Sequence, residues 1–306
     1  MQVLVIGASG FIGRHLMRHL AGAQHGVVAG TFLSRDPAND GNSWYQVEVT
    51  DPAGLENVFR AVRPEVVVHL AALADVATAE REPQRATAVN VDGSTFVAGL
   101  TEQHRAKLVY ISTEYVFPGE TGYYPEDAIP HPTTQYGTTK LEAEREIARL
   151  CSRWSVLRTS IVYGWPEPGQ RNFAPWLLTS LRSGNTYRAR TDVYRTPVYV
   201  EHLVEGIAAL AAGDYYGTFH LAGKDWVSMY DFARSFAREF DLDINLIVPT
   251  SATTGGTESS HPEQREHGVN QDLLGLDSTR TTNALGLPYF GLADGIRAFK
   301  AAAFLN

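Results

Sequence analysis

The sequence predicts an α/β protein with a doubly wound parallel sheet and a smaller mixed α/β domain. Short β-branched runs alternate with longer helical patterns through the first half, as in repeated βαβ units. Several of these runs are apolar without alternation, which is typical of strands covered on both faces. The first run leads into three glycines spaced three apart, Gly7, Gly10 and Gly13. A strand that enters a glycine-rich turn and then a helix favours a Rossmann-type sheet.

The first half contains the predicted sheet. Strands are predicted at Val3–Ile6, Val27–Leu33, Val66–Leu70, Leu108–Ser112 and Val156–Ile161. Helices are predicted, from apolar residues at helical spacing, at Gly10–Leu20, Pro52–Val62, Ala86–Gln103 and Gln135–Leu150. A further short strand, third in chain order, ends in the run 47–51. There Asp51 and Pro52 have the pattern of a helix N-cap followed by proline.

The second half is less regular. Residues 164–197 are rich in glycine, proline and aromatic residues. Helical patterns cover Phe173–Arg182, Val198–Ala212, Met229–Phe240 and Asp294–Leu305, and extended runs cover Thr218–Ala222 and Leu246–Pro249. The polar stretch Thr250–Gly268 shows no periodicity and is interpreted as a surface loop. We expect one domain from residues 1–163 plus about 198–212, and a second from 164–197 and 213–306.

Composition restricts the function classes. The 306 residues carry a net charge of −8, which makes nucleic acid and anionic membranes poor electrostatic partners. A single cysteine, Cys151, excludes an internal disulfide framework and a cysteine-based zinc site, and it fits a cytoplasmic location. The apolar start of the chain stops at Gly7, too early for a membrane span. The histidines are scattered, and no metal site is predicted.

The glycine turn predicts a bound dinucleotide. Glycines at these positions permit a tight turn, close approach of a pyrophosphate and close helix packing, while the helix N-terminus faces the anion. Arg35, after the second strand, would suit a 2′-phosphate, so NADP is favoured and NAD stays an alternative. Glu48 is a candidate for contact with the adenine. The cofactor residues proposed from this region are Gly7, Ser9, Gly10, Phe11, Ile12, Gly13, Ser34, Arg35, Glu48 and Val49.

A second candidate motif lies on the helix predicted at Gln135–Leu150. Tyr136 and Lys140 are four residues apart and therefore share a helix face. A nearby ammonium is expected to lower the pKa of a phenol and to make it a usable acid or base. Thr113 ends the preceding strand, and ligands in such sheets bind beyond the carboxyl ends of the strands.

These features together resemble the extended short-chain dehydrogenase/reductase family, and within it the reductases of the dTDP-4-dehydrorhamnose reductase type. The resemblance covers essentially the whole chain and is strongest over residues 1–205. The matching stretches are Gly7–Gly13, His69–Val76 with Ala79 and Glu80, Asn90–Gly93, Tyr110–Phe117, Tyr136–Lys140, Leu157–Gly164 and Asn172–Phe173. The Ser-Thr-Glu-Tyr-Val-Phe run from Ser112 is the most specific of them.

The resemblance implies a role for each matching residue. Tyr136 would donate the proton to a substrate carbonyl oxygen, Lys140 would hold the nicotinamide ribose, and Thr113 would hydrogen-bond the same oxygen. The reaction implied is NADPH-dependent reduction of the C4 ketone of a nucleotide-linked 4-keto-6-deoxy sugar. Further cofactor contacts would come from Leu70, Ala71, Ala72 and Asn90. Substrate contacts would come from Asp75, Thr113, Glu114, Ile161, Asn172, Phe173 and Arg195.

Two departures place the sugar and nucleotide in doubt. Relatives usually have tryptophan where this chain has Ile161, and an Arg-Pro pair that is missing from the stretch 268–277. Two alternatives stay open: a nucleotide-sugar epimerase or dehydratase, and a non-catalytic NADP-binding subunit like that of methionine adenosyltransferase. Relatives are often dimers, so the resemblance also allows a homodimer.

Overall fold

The computed structural model describes residues 1–22, 28–34, 41–252 and 271–303. The helices are α1 (Phe11–Gly22), α2 (Pro52–Val62), α3 (Val76–Arg81), α4 (Pro83–Thr87), α5 (Gly93–Gln103), α6 (Gln135–Leu150), α7 (Phe173–Arg182), α8 (Val200–Ala212), α9 (Met229–Glu239), α10 (Thr279–Leu285) and α11 (Leu292–Ala302). A π-helical segment (Ala88–Asp92) joins α4 to α5, and 3-10 turns cover Glu114–Val116 and Ile244–Leu246.

The strands form one large sheet and three two-stranded pairs. They are β1 (Val3–Ile6), β2 (Val28–Phe32), β3 (Ser43–Gln46), β4 (Val66–His69), β5 (Lys107–Thr113), β6 (Trp154–Thr159), β7 (Val162–Tyr163), β8 (Tyr187–Arg190), β9 (Tyr194–Arg195), β10 (Val198–Tyr199), β11 (Gly217–His220), β12 (Val227–Ser228) and β13 (Ile247–Thr250). The small pairs are β7 with β10, β9 with β12, and β8 with β13.

The large sheet has seven strands in the order β11-β6-β5-β4-β1-β2-β3. The pairings β1–β2, β1–β4, β2–β3 and β4–β5 are all parallel. The order reverses at β1, so β1 and β4 run side by side while their chain connections go to opposite sides. This is the switch point of a doubly wound sheet, where such folds bind ligands at the carboxyl ends of the strands. The predicted fold class is confirmed.

The chain forms two compact units. The first unit comprises Met1–Val116, Thr134–Arg158 and Val204–Phe219, and the second comprises Phe117–Thr133, Thr159–Leu203 and His220–Asn306. In the first unit, an aliphatic core that includes Leu4, Val67 and Leu108 is fully buried. In the second unit, aromatic rings pack together, with Trp165 stacked 4.4 Å from Phe299.

Three predicted elements differ from the structure. The helix predicted over Ala86–Gln103 is interrupted by the π-helical segment, because one extra residue per turn is inserted there. Strand β3 ends at Gln46, and Glu48 and Val49 lie in the connection to α2. The predicted helix from Val198 begins at Val200, because residues 198–199 pair with β7. Residues 253–268 of the predicted surface loop lie outside the described residues.

Candidate active site

The glycine turn after β1 is shaped by close backbone contacts. Gly7 has a positive φ of 81°, and a Cβ there would lie 2.7 Å from the backbone nitrogen of Ala71. A Cβ on Gly13 would lie 2.6 Å from the carbonyl oxygens of both Gly7 and Ala8. Side chains at either position would push the turn or the helix out of place. Thr31 on β2 accepts a hydrogen bond from the Gly7 nitrogen at 3.0 Å and ties the turn to the next strand.

The start of α1 supplies backbone donors for an anion. The helix begins at Phe11, directly after Gly10, and Ser9 lies in the turn before it. The first N–H groups of any helix have no intrahelical acceptor, and they carry its positive dipole end. Here those groups belong to residues including Phe11, Ile12 and Gly13. This arrangement fits the pyrophosphate of a dinucleotide.

The residues predicted to contact the adenosine half of the cofactor lie beyond β2 and β3. Ser34 is exposed just past the end of β2, and Arg35 lies outside the described residues. Glu48 is exposed, whereas Val49 is buried against Gly93 at the start of α5. Val49 therefore contributes to the core of the first unit as well as standing near this edge.

The loop after β4 is held against the end of β1. The backbone nitrogens of Leu70 and Ala71 both donate to the Ile6 carbonyl, at 2.9 and 3.1 Å. Residues 70–72 are half-buried. The structure thus places Leu70 and Ala71 beside the end of β1 and the glycine turn, with Ala72 next in the loop.

Asn90 connects this loop to the helix that carries Tyr136. Its side chain accepts from the Leu73 nitrogen at 2.8 Å and donates to the Leu73 carbonyl at 3.2 Å. The same amide nitrogen donates to the Thr139 hydroxyl at 3.0 Å. Asn90 is fully buried and lies in the π-helical segment, a feature that is frequent at functional sites.

Thr113, Tyr136 and Lys140 come together within the first unit. Thr113 is the last residue of β5, and α6 begins at Gln135 with Thr134 as N-cap, accepting from the Gly137 nitrogen at 3.0 Å. Tyr136 is half-buried and hydrogen-bonds the Thr113 side chain. The Tyr136 ring also meets the ring of Tyr115 at 5.7 Å and 67°.

The pKa of Tyr136 moves in the direction opposite to the one predicted. Burial raises it to about 12, and the hydrogen bond with Thr113 only partly offsets that rise. Lys140 does not produce the expected lowering of the Tyr136 pKa, and its side-chain nitrogen donates to the Ile111 carbonyl at 2.7 Å. Tyr136 is therefore fully protonated at neutral pH and suited to donate a proton.

Lys140 is a buried cation. Its side chain is 2% exposed, and its ammonium lies 4.0 Å from the centre of the Tyr110 ring. Burial lowers the pKa of Lys140 to about 7, while the nearby Glu144 carboxylate acts to raise it.

His69, the last residue of β4, hydrogen-bonds Ser94 at 3.0 Å, and burial lowers the pKa of His69 to about 3.

Four predicted substrate residues lie in the second unit. Asn172 caps α7. Its side-chain oxygen accepts a hydrogen bond from the Gly164 nitrogen, and its side-chain nitrogen donates to the Val162 carbonyl. Arg195 is buried and donates to the carbonyl oxygens of its neighbour Tyr194 and of Asp272. All of the side-chain hydrogen bonds just described are made to other atoms of the protein. The other two are the buried Phe173, in the aromatic core, and the half-buried Ile161.

The two remaining predicted substrate residues lie in the first unit. Asp75 is exposed and caps α3 by accepting from the Thr78 nitrogen at 2.8 Å. Glu114 follows Thr113 directly and is 1% exposed. Its negative charge contributes to the raised pKa of Tyr136. Glu114 therefore belongs with the Thr113–Tyr136 pair.

The residues around the glycine turn fit a dinucleotide. The cradle formed by Gly7 and Gly13 would be filled by any Cβ. The hydroxyl of Ser112, buried at the end of β5, has no hydrogen-bond partner among the described residues. Within residues 1–22, 28–34, 41–252 and 271–303, no cluster of three or more His, Cys, Asp or Glu side chains is arranged to hold a metal ion. No helix in that part of the chain is long and apolar enough to cross a membrane.

Residues 1–267 match the model of the RmlD substrate binding domain family. The chain belongs to this family. It is 30% identical over 294 residues to the dTDP-4-dehydrorhamnose reductase of Aggregatibacter actinomycetemcomitans, covering 94% of each chain. It is 28% identical over 293 residues to methionine adenosyltransferase 2 subunit beta of Danio rerio, covering 93% of this chain and 88% of the relative. The predicted membership of a reductase family is thus confirmed.

A solved RmlD-type structure has the same fold. The dTDP-4-dehydrorhamnose reductase of Bacillus anthracis strain Ames, in complex with NADP, superposes with a TM-score of 0.79 at 24% identity. The match covers 98% of both chains. At this identity the comparison supports the fold alone.

Several side chains around the site make contacts that the sequence does not reveal. Thr31, His69 and Ser94 form hydrogen bonds beneath the glycine turn and the strand ends. A polar residue inside an otherwise apolar strand is the signal that marks Thr31 and His69. Glu144 and Arg158 form a buried ion pair that no local sequence pattern predicts.

Proposed function

We propose that this protein reduces the C4 ketone of a nucleotide-linked 4-keto-6-deoxy sugar with NADPH, as a dTDP-4-dehydrorhamnose reductase does. The observation that carries the proposal is the hydrogen-bonded Thr113–Tyr136 pair with Lys140 one helical turn further on. The relative from A. actinomycetemcomitans is named for this reaction, which supports the assignment.

The first unit is the proposed dinucleotide-binding part. Gly7, Gly10 and Gly13 with the N-terminus of α1 would hold the pyrophosphate, and Lys140 the nicotinamide ribose. When bound, NADPH supplies the hydride that reduces the ketone carbon. The second unit is proposed to bind the nucleotide sugar through residues that include Asn172 and Arg195.

The protein's own side chains handle the oxygen and the proton. As the ketone carbon is reduced, negative charge develops on its oxygen. The Thr113 hydroxyl stabilises that charge by a hydrogen bond, and Tyr136 transfers its phenolic proton to the oxygen to give the alcohol. The charge of Lys140 then stabilises the phenolate until solvent restores its proton.

The first test follows the absorbance of the reduced cofactor with dTDP-4-keto-6-deoxy-L-mannose as substrate. We expect turnover, faster with NADPH than with NADH, and a smaller preference in Arg35→Ala. A lack of turnover together with tight NADPH binding would contradict the reductase proposal.

The second test replaces the proposed proton donor. Tyr136→Phe removes the phenolic hydroxyl and should lower the rate about 10²–10⁴-fold, while NADPH binding is retained. The matched control is Tyr115→Phe, whose ring contacts that of Tyr136. We expect the control to keep most of the activity. An unchanged rate in Tyr136→Phe would overturn the assignment of this residue.

A second candidate function is favoured by the similarity to methionine adenosyltransferase 2 subunit beta. In that case the chain would bind NADP and a partner enzyme without reducing a sugar. A stable complex with a methionine adenosyltransferase, with no ketone reduction, would support this candidate. A tightly bound cofactor that copurifies in its oxidised form would instead support an epimerase.

A further inference from the structure

A buried ion pair lies directly behind the proposed catalytic lysine. The Glu144 carboxylate receives two hydrogen bonds from the Arg158 guanidinium, from Nε at 3.0 Å and from Nη2 at 2.6 Å. Both side chains are almost inaccessible, at 7% and 6% exposure. Glu144 lies one turn after Lys140 on α6, and Arg158 lies on β6, the strand beside β5.

This pair is costly to bury. Removing two charges from water is expensive, and well-packed apolar residues of similar size often serve stability as well or better. Its position suggests what it contributes instead. Residues four apart on a helix are neighbours, so the Glu144 carboxylate lies on the same face as the Lys140 ammonium.

The other groups described in contact with Lys140 carry no negative charge. The Ile111 carbonyl accepts from its ammonium, and the Tyr110 ring lies beneath it. The buried His69 on β4 and Tyr136 on α6 are neutral at pH 7, since burial lowers the pKa of the first to about 3 and raises that of the second to about 12. Glu114 acts on Tyr136, and Arg158 is itself positive. The Glu144 carboxylate is therefore the anion that directly opposes the desolvation of Lys140.

We propose that Glu144, held in place by Arg158, is a positioning residue that favours the charged form of Lys140. The two hydrogen bonds from Arg158 fix the carboxylate at the helix and keep it ionised in a buried site. The consequence for catalysis rests on the proposed reductase function, because a neutral lysine would neither hold the ribose as strongly nor stabilise the Tyr136 phenolate.

The chain offers a direct measurement of this effect. It contains four lysines, Lys107, Lys140, Lys224 and Lys300. Selective isotope labelling of lysine side chains therefore gives few resonances, and a Lys140→Met variant assigns the one of interest. Titrating that resonance in the whole protein, without cofactor or substrate, reports the pKa of Lys140 independently of any activity.

Three variants change the pair in graded ways. Glu144→Gln removes the anion and keeps the positive charge of Arg158, so the Lys140 titration midpoint should fall by about one pH unit or more. The double variant Glu144→Gln/Arg158→Met removes both charges of the pair, which protects the fold, and its midpoint should fall by less. Arg158→Met removes the two hydrogen bonds that fix the carboxylate and keep it ionised, so the midpoint should also fall, though by less than in Glu144→Gln. Glu146→Gln is the matched control, since Glu146 lies on the same helix in an exposed pair with Arg149.

A Lys140 midpoint that is unchanged in folded Glu144→Gln or in the folded double variant would overturn the proposal. If the wild-type protein reduces the sugar, the alkaline limb of its kcat/KM profile should move in the same direction as the Lys140 midpoint. A shifted midpoint in a protein without turnover would support the electrostatic coupling and count only against the reductase function.

Discussion

The pKa values of Tyr136 and Lys140, two neighbouring side chains in this site, shift in opposite directions. Tyr136 and Lys140 share one helix face, yet burial raises the pKa of the phenol to about 12 and lowers that of the lysine to about 7. Each shift favours the neutral form, because both groups lose solvent. Groups whose environments separate their pKa values often divide acid and base roles between them. Tyr136 is accordingly the acid that starts the proposed reaction.

The hydrogen bonds of Asn90 allow a prediction for a side chain beside the trio. Asn90→Ala should remove three contacts and leave the Leu73 nitrogen and carbonyl to find other partners. We expect a loss of about 1–3 kcal/mol in the free energy of unfolding, and weaker NADPH binding because the loop after β4 is released. Urea unfolding and cofactor titration measure the two effects.

A double-mutant cycle isolates the contribution of the Asn90–Thr139 hydrogen bond, which connects Asn90 to α6. Thr139→Val removes the hydroxyl that accepts from Asn90 while keeping the shape of the side chain. The two substitutions should be non-additive by about 0.5 kcal/mol or more. Strict additivity would show that Asn90 supports only the loop and has no energetic link to α6.

The spacing of Tyr136 and Lys140 predicts that they share a face, and the structure agrees. The sequence does not reveal how deeply the pair is buried, so the predicted direction of the Tyr136 pKa was wrong. Glu144 and Arg158 are 14 residues apart and meet only because α6 packs on the sheet. Such a contact depends on tertiary packing, which local spacing does not encode.

Among the elements, α1 and its glycine turn are the most constrained. Gly13→Ala would place a methyl group 2.6 Å from two carbonyl oxygens in the turn. We expect it to lower the free energy of unfolding by about 1–3 kcal/mol and to weaken NADPH binding. Thermal or urea unfolding, with a cofactor titration on the same sample, measures both.

Gly99→Ala is the matched control in another helix. Gly99 lies inside α5, and a Cβ there meets nothing within 4 Å. The same substitution should therefore stabilise the protein by about 0.5–1 kcal/mol through helix propensity alone, without any change in cofactor binding. If both variants behaved alike, close packing at Gly13 would not be the reason for its glycine.

Elements with a clear local sequence pattern were predicted, whereas short strands that depend on pairing with a neighbouring strand were not. The apolar runs of β1 and β4 and the capped start of α2 carry their own pattern. The π-helical turn at Asn90 follows α4 and leads into α5 without a break, so the sequence reads as one continuous helix. Strands such as β7 and β9 have two residues each and exist only because a partner strand lies beside them.

For the molecule as a whole, the parallel sheet order follows from the chain's alternation of strands and helices and from right-handed crossovers. The same architecture buries polar groups in both units. His69 lies under the strand ends of the first unit, and His202 stacks at 3.6 Å on Phe290 in the second. Burial lowers the pKa of His69 to about 3 and that of His202 to about 4.

These two histidines predict that the folded protein loses stability in acid. In the unfolded chain a histidine takes up its proton near pH 6.5, while the buried rings stay neutral until a lower pH. Between these values the unfolded state binds more protons, so the free energy of unfolding must decrease as the pH falls. For His69 the loss between pH 6.5 and 4 should be on the order of 2–3 kcal/mol. Urea unfolding at pH 7, 5 and 4 measures it.

His69→Gln tests the source of this acid sensitivity, because an amide can still hydrogen-bond Ser94 but does not titrate. We expect the variant to lose less stability than the wild type between pH 6.5 and 4, and His202→Gln to show a smaller effect in the same direction, since His202 is less deeply buried and faces Asp294 and Glu201. The exposed His131→Gln serves as the control and should follow the wild-type curve. Equal slopes in wild type and His69→Gln would mean that His69 is already charged in the folded protein, which its enclosure by β4, β5 and α5 argues against.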